Sequence, residues 1–193
     1  MRLRASLLAA ALLLLGAAAQ LLGWAPQPLL TQEGTVVILV RHAERADDGM
    51  TEAQRATDPR MTTDPPLSAS GRKRATLLAE MLRDAGLTHV HSTDYLRTRE
   101  TAGPTSRSTG IEITLYPAAE LEAFARELRS TPGRHLVVGH SNTTYDLVQA
   151  LGGDPGPPIE ALEYDRLYLL TLNREEAHTI LLRFGADRGI PLP

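Results

Sequence analysis

The chain contains no cysteine. That excludes a disulfide framework, a thiolate nucleophile and a cysteine zinc site, and it leaves the redox compartment open. Lysine is almost missing as well: Lys73 stands against nineteen arginines. Nearly every cation is therefore a guanidinium, and a lone arginine signals less than it would in a balanced composition. There is no excess of either charge. A net charge of −3 offers no electrostatic footprint for nucleic acid or for an anionic membrane surface. No internal repeat, HExxH pattern or carboxylate cluster at metal-ligand spacing occurs, so no metal centre is indicated.

What remains is an ordinary globular composition, 42% hydrophobic and 22% charged over 193 residues, enough for one domain with a sizeable core. The first thirty residues stand apart from it. Arg2 and Arg4 precede an almost pure Ala/Leu run from Ala5 to Ala19, which closes on Ala17-Ala18-Ala19. This reads as a secretory signal peptide. Leu21-Leu22-Gly23-Trp24 extends the apolar stretch toward membrane-spanning length, so an uncleaved anchor over residues 5–24 is the alternative. Ala25-Pro26-Gln27-Pro28 is a linker. The expectation is a targeting segment plus linker over 1–30 and one domain over 31–193, exported to the periplasm or the exterior.

The domain is organised around Thr35-Val36-Val37-Ile38-Leu39-Val40, an unbroken β-branched run that reads as a buried strand. It ends abruptly in Arg41-His42-Ala43-Glu44. A polar stretch from Arg45 to Pro66 has no usable period and reads as a binding loop. A helix follows, N-capped by Ser68 or Ser70 and stopped by Gly86. Strands are predicted over 88–92, 111–115, 135–138, 166–172 and 179–184. Helices are predicted after Asp94, over 119–128 and over 144–151. Strands alternating with helices imply an α/β fold, a three-layer αβα sandwich on a mostly parallel sheet.

Two strands then end alike, one delivering Arg41-His42 and the other Gly139-His140, while a third turn supplies Ser92 through Arg97. Neighbouring parallel strands would gather these at one end of the sheet, where ligands of open α/β folds bind. Guanidiniums bind phosphate as bidentate forks and stay charged. A neutral imidazole is a competent nucleophile toward phosphorus, and cationic neighbours favour the neutral form. Such a set supplies phosphoryl transfer without a metal or other cofactor.

Four segments carry a resemblance: Arg41-His42-Ala43-Glu44, Pro66-Leu67-Ser68-Ala69-Ser70-Gly71, Ser92 to Ala102, and Val138-Gly139-His140-Ser141-Asn142. In order and strand context they resemble the successive motifs of the histidine phosphatase superfamily, the phosphoglycerate mutase-like group. The resemblance implies a phosphomonoester hydrolase in which His42 becomes a phosphohistidine. It implies that Arg41, Arg97 and His140 form the phosphate pocket, with Ser92 and Asn142 as further substrate-binding candidates. The partner expected is a small phosphorylated substrate. Two departures stand out. Ala43 occupies a position where the family commonly has Gly. The Gly/Trp segment in which some branches carry a proton-donating Glu is missing, and Ser141 stands where another branch has Asp. The missing segment argues for a phosphatase over a mutase, and Glu120 is named as a candidate donor by spacing alone.

Two other readings compete. Gly139-His140-Ser141-Asn142-Thr143 approaches a nucleophile elbow, with Asp165 and His178 following in hydrolase order, so a serine esterase using Ser141 is one. It lacks the fifth-position Gly and leaves Arg41-His42 unexplained. A non-catalytic phosphate- or sugar-binding module on the same fold is the other. His89 and His91 alternate on a strand with no third ligand at metal spacing and are read as isolated strand histidines.

Overall fold

The computed structural model describes residues 34–173 and 176–185; the targeting segment and linker expected over 1–30 lie outside the described residues. Six strands form one sheet: β1 (Thr35–Arg41), β2 (His89–Ser92), β3 (Ile113–Leu115), β4 (Arg134–Gly139), β5 (Arg166–Leu172) and β6 (Ala177–Arg183). Their order is β3-β2-β4-β1-β5-β6. The first four run parallel, and β5 and β6 are added antiparallel at one side. The central strand β1 is thus hydrogen-bonded on both edges.

Alternation along β1 explains its unbroken apolar run. Val37 and Leu39 face one layer, packing with Phe124, Ala125 and Leu128 of α5 (Leu121–Ser130) and Leu147 and Val148 of α6 (Ser141–Ala150). Ile38 and Val40 face the other, against Leu78 of α3 (Ala69–Met81) and Ala102 of α4 (Leu96–Thr109). A strand covered on both faces shows no polar period, and two helical layers around it make the αβα sandwich.

The polar stretch 45–66 is more ordered than its sequence suggests. It holds two short helices, α1 (Glu52–Arg55) and α2 (Pro59–Thr63). Thr51 and Gln54 close a reciprocal capping box on α1, and Asp58 caps α2 with Pro59 at its first turn. Both are local side-chain signals, invisible to a search for hydrophobic period. Helix α3 is capped by Ser68, whose Oγ accepts from the Gly71 N–H at 3.0 Å. Helix α6 starts at Ser141, three residues before the expected Thr144, with His140 at its N-cap.

Two glycines permit close approaches that hold the ends of β1 and β4. A Cβ on Gly71 would lie 2.2 Å from the Glu44 carbonyl oxygen, so only glycine lets α3 start against the segment that follows His42. A Cβ on Gly139 would lie 2.7 Å from both Thr143 Oγ1 and Tyr116 Oη.

The strand histidines are not isolated. His89 pairs with His135 across β2 and β4, and their rings stack at 4.4 Å with 6° between planes. His91 stacks on His135 at 5.4 Å, and its Nε2 lies 3.1 Å from His135 Nδ1. His135 Nε2 donates to the Thr131 carbonyl at 3.0 Å, so Nδ1 accepts from His91 and both rings are neutral. Burial, then the neighbouring imidazoles, hold His91 down to about 4, and burial lowers His135. An unfolded chain, with imidazoles near ~6.5, takes up these protons first. The stack's contribution is therefore complete above pH ~6.5 and falls as the pH drops toward 4. His91 alone costs about 1.4 kcal/mol per pH unit in that window, and His135 acts in the same direction. Urea midpoints are expected to fall from pH 7 to pH 5, and His91→Gln to flatten the profile. A wild-type midpoint unchanged over that range would contradict the neutral stack.

Candidate active site

The C-terminal ends of β1 and β4 lie side by side, with Arg41 opposite Gly139 in register. The His42 N–H continues the ladder to the Gly139 carbonyl at 2.8 Å. This fixes the backbone of both strand-end motifs and brings His42 and His140 together, ring centroids 5.4 Å apart and edge to face. Helix α4 then adds Arg97. The tie between α4 and β1 is Thr101, whose Oγ1 accepts from the Ala43 N–H at 3.0 Å and donates to the Arg97 carbonyl at 2.7 Å.

His42 is buried, 3% exposed. Its Nδ1 donates to its own chain at the Ala43 carbonyl, 2.8 Å away. The proton therefore sits on Nδ1 and the lone pair on Nε2. Burial lowers its pKa to about 2, with the charges of Arg41 and Arg97 acting in the same direction. His140 is half-buried and held down to about 4, first by burial and then by Arg97 and Arg41. Its Nε2 lies 2.9 Å from Thr93 Oγ1 and its Nδ1 3.4 Å from an Arg97 Nη.

Three arginines surround these rings. The Arg41 Nη atoms donate to the carbonyls of Glu160, Ala161 and Glu163 at 2.8–3.0 Å, and its guanidinium lies 4.2 Å from the centroid of the Tyr164 ring. Arg97 lies over Tyr95 at 4.4 Å and pairs with Asp64 at 3.2 Å. Arg45 pairs with Asp47 at 2.8 Å. Each of the three keeps a buried Nε–H with no hydrogen-bond partner among the described residues. A buried unpaired donor is costly, and here three belong to residues lining one cavity. That cavity has a volume of about 480 Å³ and is also lined by His42, His140, Ser141 and Asn142.

The structure therefore gathers Arg41, His42, Arg97, His140 and Asn142 in one place. It does not bring Ser92 there. Ser92 is fully buried and its hydroxyl donates to the Thr93 carbonyl at 2.9 Å; the side chain reaching His140 is that of Thr93. Glu120 is exposed just before α5 and lines neighbouring clefts rather than this cavity. Glu44, next to the imidazole in sequence, is committed to Arg74 by contacts of 2.6–3.0 Å. Arg99 pairs with Asp94 at the surface.

Three contributors carry no functional mark in the sequence: Arg45, Asp64 and Thr93. Tyr164, which the sequence allows as pocket lining but favours as a turn residue, sits with its ring 5.8 Å from His42. Asp58-Pro59 was a visible cap that could have placed Asp64 at the end of a short helix. Ser141, Asp165 and His178 do not assemble. His178 pairs with Thr171 in the sheet, whereas Asp165 precedes Arg166, which pairs with Arg183. The two are separated by about six residues of strand, roughly 20 Å.

Residues 37–122 match the model of the histidine phosphatase superfamily (branch 1). A Yersinia enterocolitica protein named as a probable phosphoglycerate mutase, GpmB, is 32% identical over 81 residues, which are 42% of this chain and 35% of that protein. The match thus spans about a third of that relative's length. An Escherichia coli structure assigned as an alpha-ribazole-5′-P phosphatase superposes with a TM-score of 0.61 at 16% identity, covering 78% of this chain and 97% of the other. The protein histidine phosphatase SixA, solved with tungstate, gives 0.54 at 18% identity over 77% and 96%. At these identities the two structures show a common fold.

Proposed function

We propose, from the premise that this chain belongs to the histidine phosphatase superfamily, that it hydrolyses phosphomonoesters through a phosphohistidine at His42. The observation that carries this reading is the set of three arginines, Arg41, Arg45 and Arg97, whose buried Nε–H groups make no hydrogen bond among the described residues, the Arg45 one lying 3.6 Å from Asp48 Oδ1, around two neutral imidazoles. Three fixed cations with spare donors suit the equatorial oxygens of a transferring phosphoryl group. A serine esterase has no use for them, and a binding module has no use for an imidazole whose tautomer is set for attack.

In the first step, His42 Nε2 attacks phosphorus. A P–N bond forms, the P–O bond to the leaving group breaks, and Arg97 and Arg45 take up the charge on the phosphoryl oxygens. The Thr93 hydroxyl donates to Thr98 Oγ1 and so accepts from His140 Nε2–H, while His140 Nδ1 accepts from Arg97 and steadies that guanidinium beside the phosphate. In the second step water attacks phosphorus, the P–N bond breaks, and His42 recovers its lone pair. The described residues lining the cavity include no Asp or Glu. The site therefore suits leaving groups that depart without strong acid assistance, and hydrolysis of an aryl phosphate by the wild type and by His42→Ala is the deciding experiment.

Export is part of the proposal, and it rests on the sequence of residues 1–30. These residues, fused to alkaline phosphatase lacking its own leader, are expected to give activity outside the cytoplasm. An inactive cytosolic fusion would remove this element and would reopen cytosolic phosphoproteins as substrates.

A further inference from the structure

A second cavity, of about 600 Å³, adjoins the first at Arg45, which lines both. Tyr164 also lines it, and the same ring approaches His42 to 5.8 Å and covers the Arg41 guanidinium. A phosphoryl group on the arginines thus has its ester oxygen's substituent within reach of this space. If the site is a phosphatase, as proposed above, the second cavity receives the leaving group.

Its lining is acidic: five carboxylates against two guanidiniums. Four of the carboxylates are held by protein cations or donors. Glu44 is clamped by Arg74, and Asp48 accepts from the Tyr164 hydroxyl at 2.7 Å and from the Arg45 N–H at 2.9 Å. Glu163 pairs with Arg166 at 2.6 Å and Asp165 with Arg183 at 2.7 Å. The fifth is Glu160. It is exposed at the mouth, and its carboxylate has no hydrogen-bond or ion-pair partner among the described residues. Its own carbonyl accepts from Arg41 at 2.8 Å, so the backbone that presents this free negative charge is tied to the phosphate pocket. Ser68, Ser70 and the exposed Leu162 complete the wall with hydroxyls and one apolar surface.

We propose that this cavity selects a leaving group bearing an ammonium, and disfavours one bearing a second anion. A carboxylate or phosphate on the leaving group would face Glu160, with Arg74 clamped by Glu44 and Arg45 turned to the phosphoryl group. That is the opposite of what a phosphoglycerate needs. An alcohol or phenol carrying an amine finds a counter-charge at Glu160 and acceptors at the two serines.

The test uses three aryl phosphates of similar leaving-group acidity that differ only in the charge of the para substituent: phosphotyramine, 4-ethylphenyl phosphate and 3-(4-phosphonooxyphenyl)propionate. The full-length protein is expected to give kcat/KM values falling in that order, by about fivefold at each step, the effect of one partly exposed charge pair. Glu160→Lys is expected to reverse the order. Equal values for the three esters, a preference for the propionate, or an order unmoved in Glu160→Lys would overturn the assignment. Hydrolysis of 4-nitrophenyl phosphate by the wild type reports the phosphatase reading separately. If that fails, equilibrium dialysis of the same three esters decides: tighter retention of phosphotyramine, lost in Glu160→Lys, upholds the subsite, and indifferent retention ends it.

Discussion

Replacing His42 with alanine is expected to reduce aryl phosphate turnover by about 10⁴-fold or more, the scale of losing a covalent nucleophile. The reason is specific to the ring's setting. Nδ1 is fixed on the Ala43 carbonyl, and burial with the neighbouring charges of Arg41 and Arg97 keeps Nε2 unprotonated. The low pKa of His42 means that the nucleophile stays competent down to acidic pH, so loss of activity below pH ~5 would reflect protonation of His140 or substrate, or unfolding, rather than protonation of His42. The proposed intermediate is a phosphoramidate, labile to acid and stable to alkali; a phosphoserine behaves in the reverse way. Wild type quenched in alkali during turnover of a labelled ester should retain label that mild acid releases. His42→Ala should retain none. His140→Ala should take up label slowly, because His140 stabilises transfer without accepting the group. Alkali-labile label on Ser141, or no trapped label in either wild type or a slowly dephosphorylating variant, would remove the mechanism.

Arg97→Ala is expected to lower kcat/KM by about 10²- to 10³-fold, the usual cost of one preorganised donor to a developing oxyanion. Arg97→Lys should recover little of it. Lysine keeps the charge but loses the planar fork that serves Asp64, His140 and a phosphate oxygen at once. Folding should survive either change, since Arg97 is only half-buried and its side chain meets Asp64, Tyr95 and His140 rather than the apolar core. Near-normal turnover in Arg97→Ala would shift the role to Arg45, the other arginine with a spare Nε–H on that side of the rings.

The fold was legible because its central strand is buried on two faces. Val37 to Val40 could be nothing but interior, and β5 was predicted at its observed bounds. The strand-end motifs were legible because their chemistry sits next to the strands in sequence. What stayed hidden depends on contacts between distant residues. Asp64 meets Arg97 from 33 positions away, and no period or composition marks it. Ser92 and Thr93 are both small hydroxyl residues at the end of one strand. Which of them serves the site is decided by whether the hydroxyl turns to a carbonyl or to His140, and that is a rotamer choice. The histidines of β2 gave no hint of their stack because its third member, His135, comes from β4 through the parallel register.

The Asp64–Arg97 pair has a bearing on the end of the catalytic cycle. Asp64 spans two groups of α4, with one oxygen on the Arg97 guanidinium and the other accepting from the Leu96 N–H at 2.8 Å, so it is anchored by the helix backbone as well as by the arginine. An arginine that never parts from its carboxylate holds an incoming dianion less tightly than a bare one does. Repulsion between like charges grows with the ligand's negative charge. On the proposed mechanism, inorganic phosphate shares Arg97 with this resident carboxylate, which trades ground-state grip for a shorter residence time.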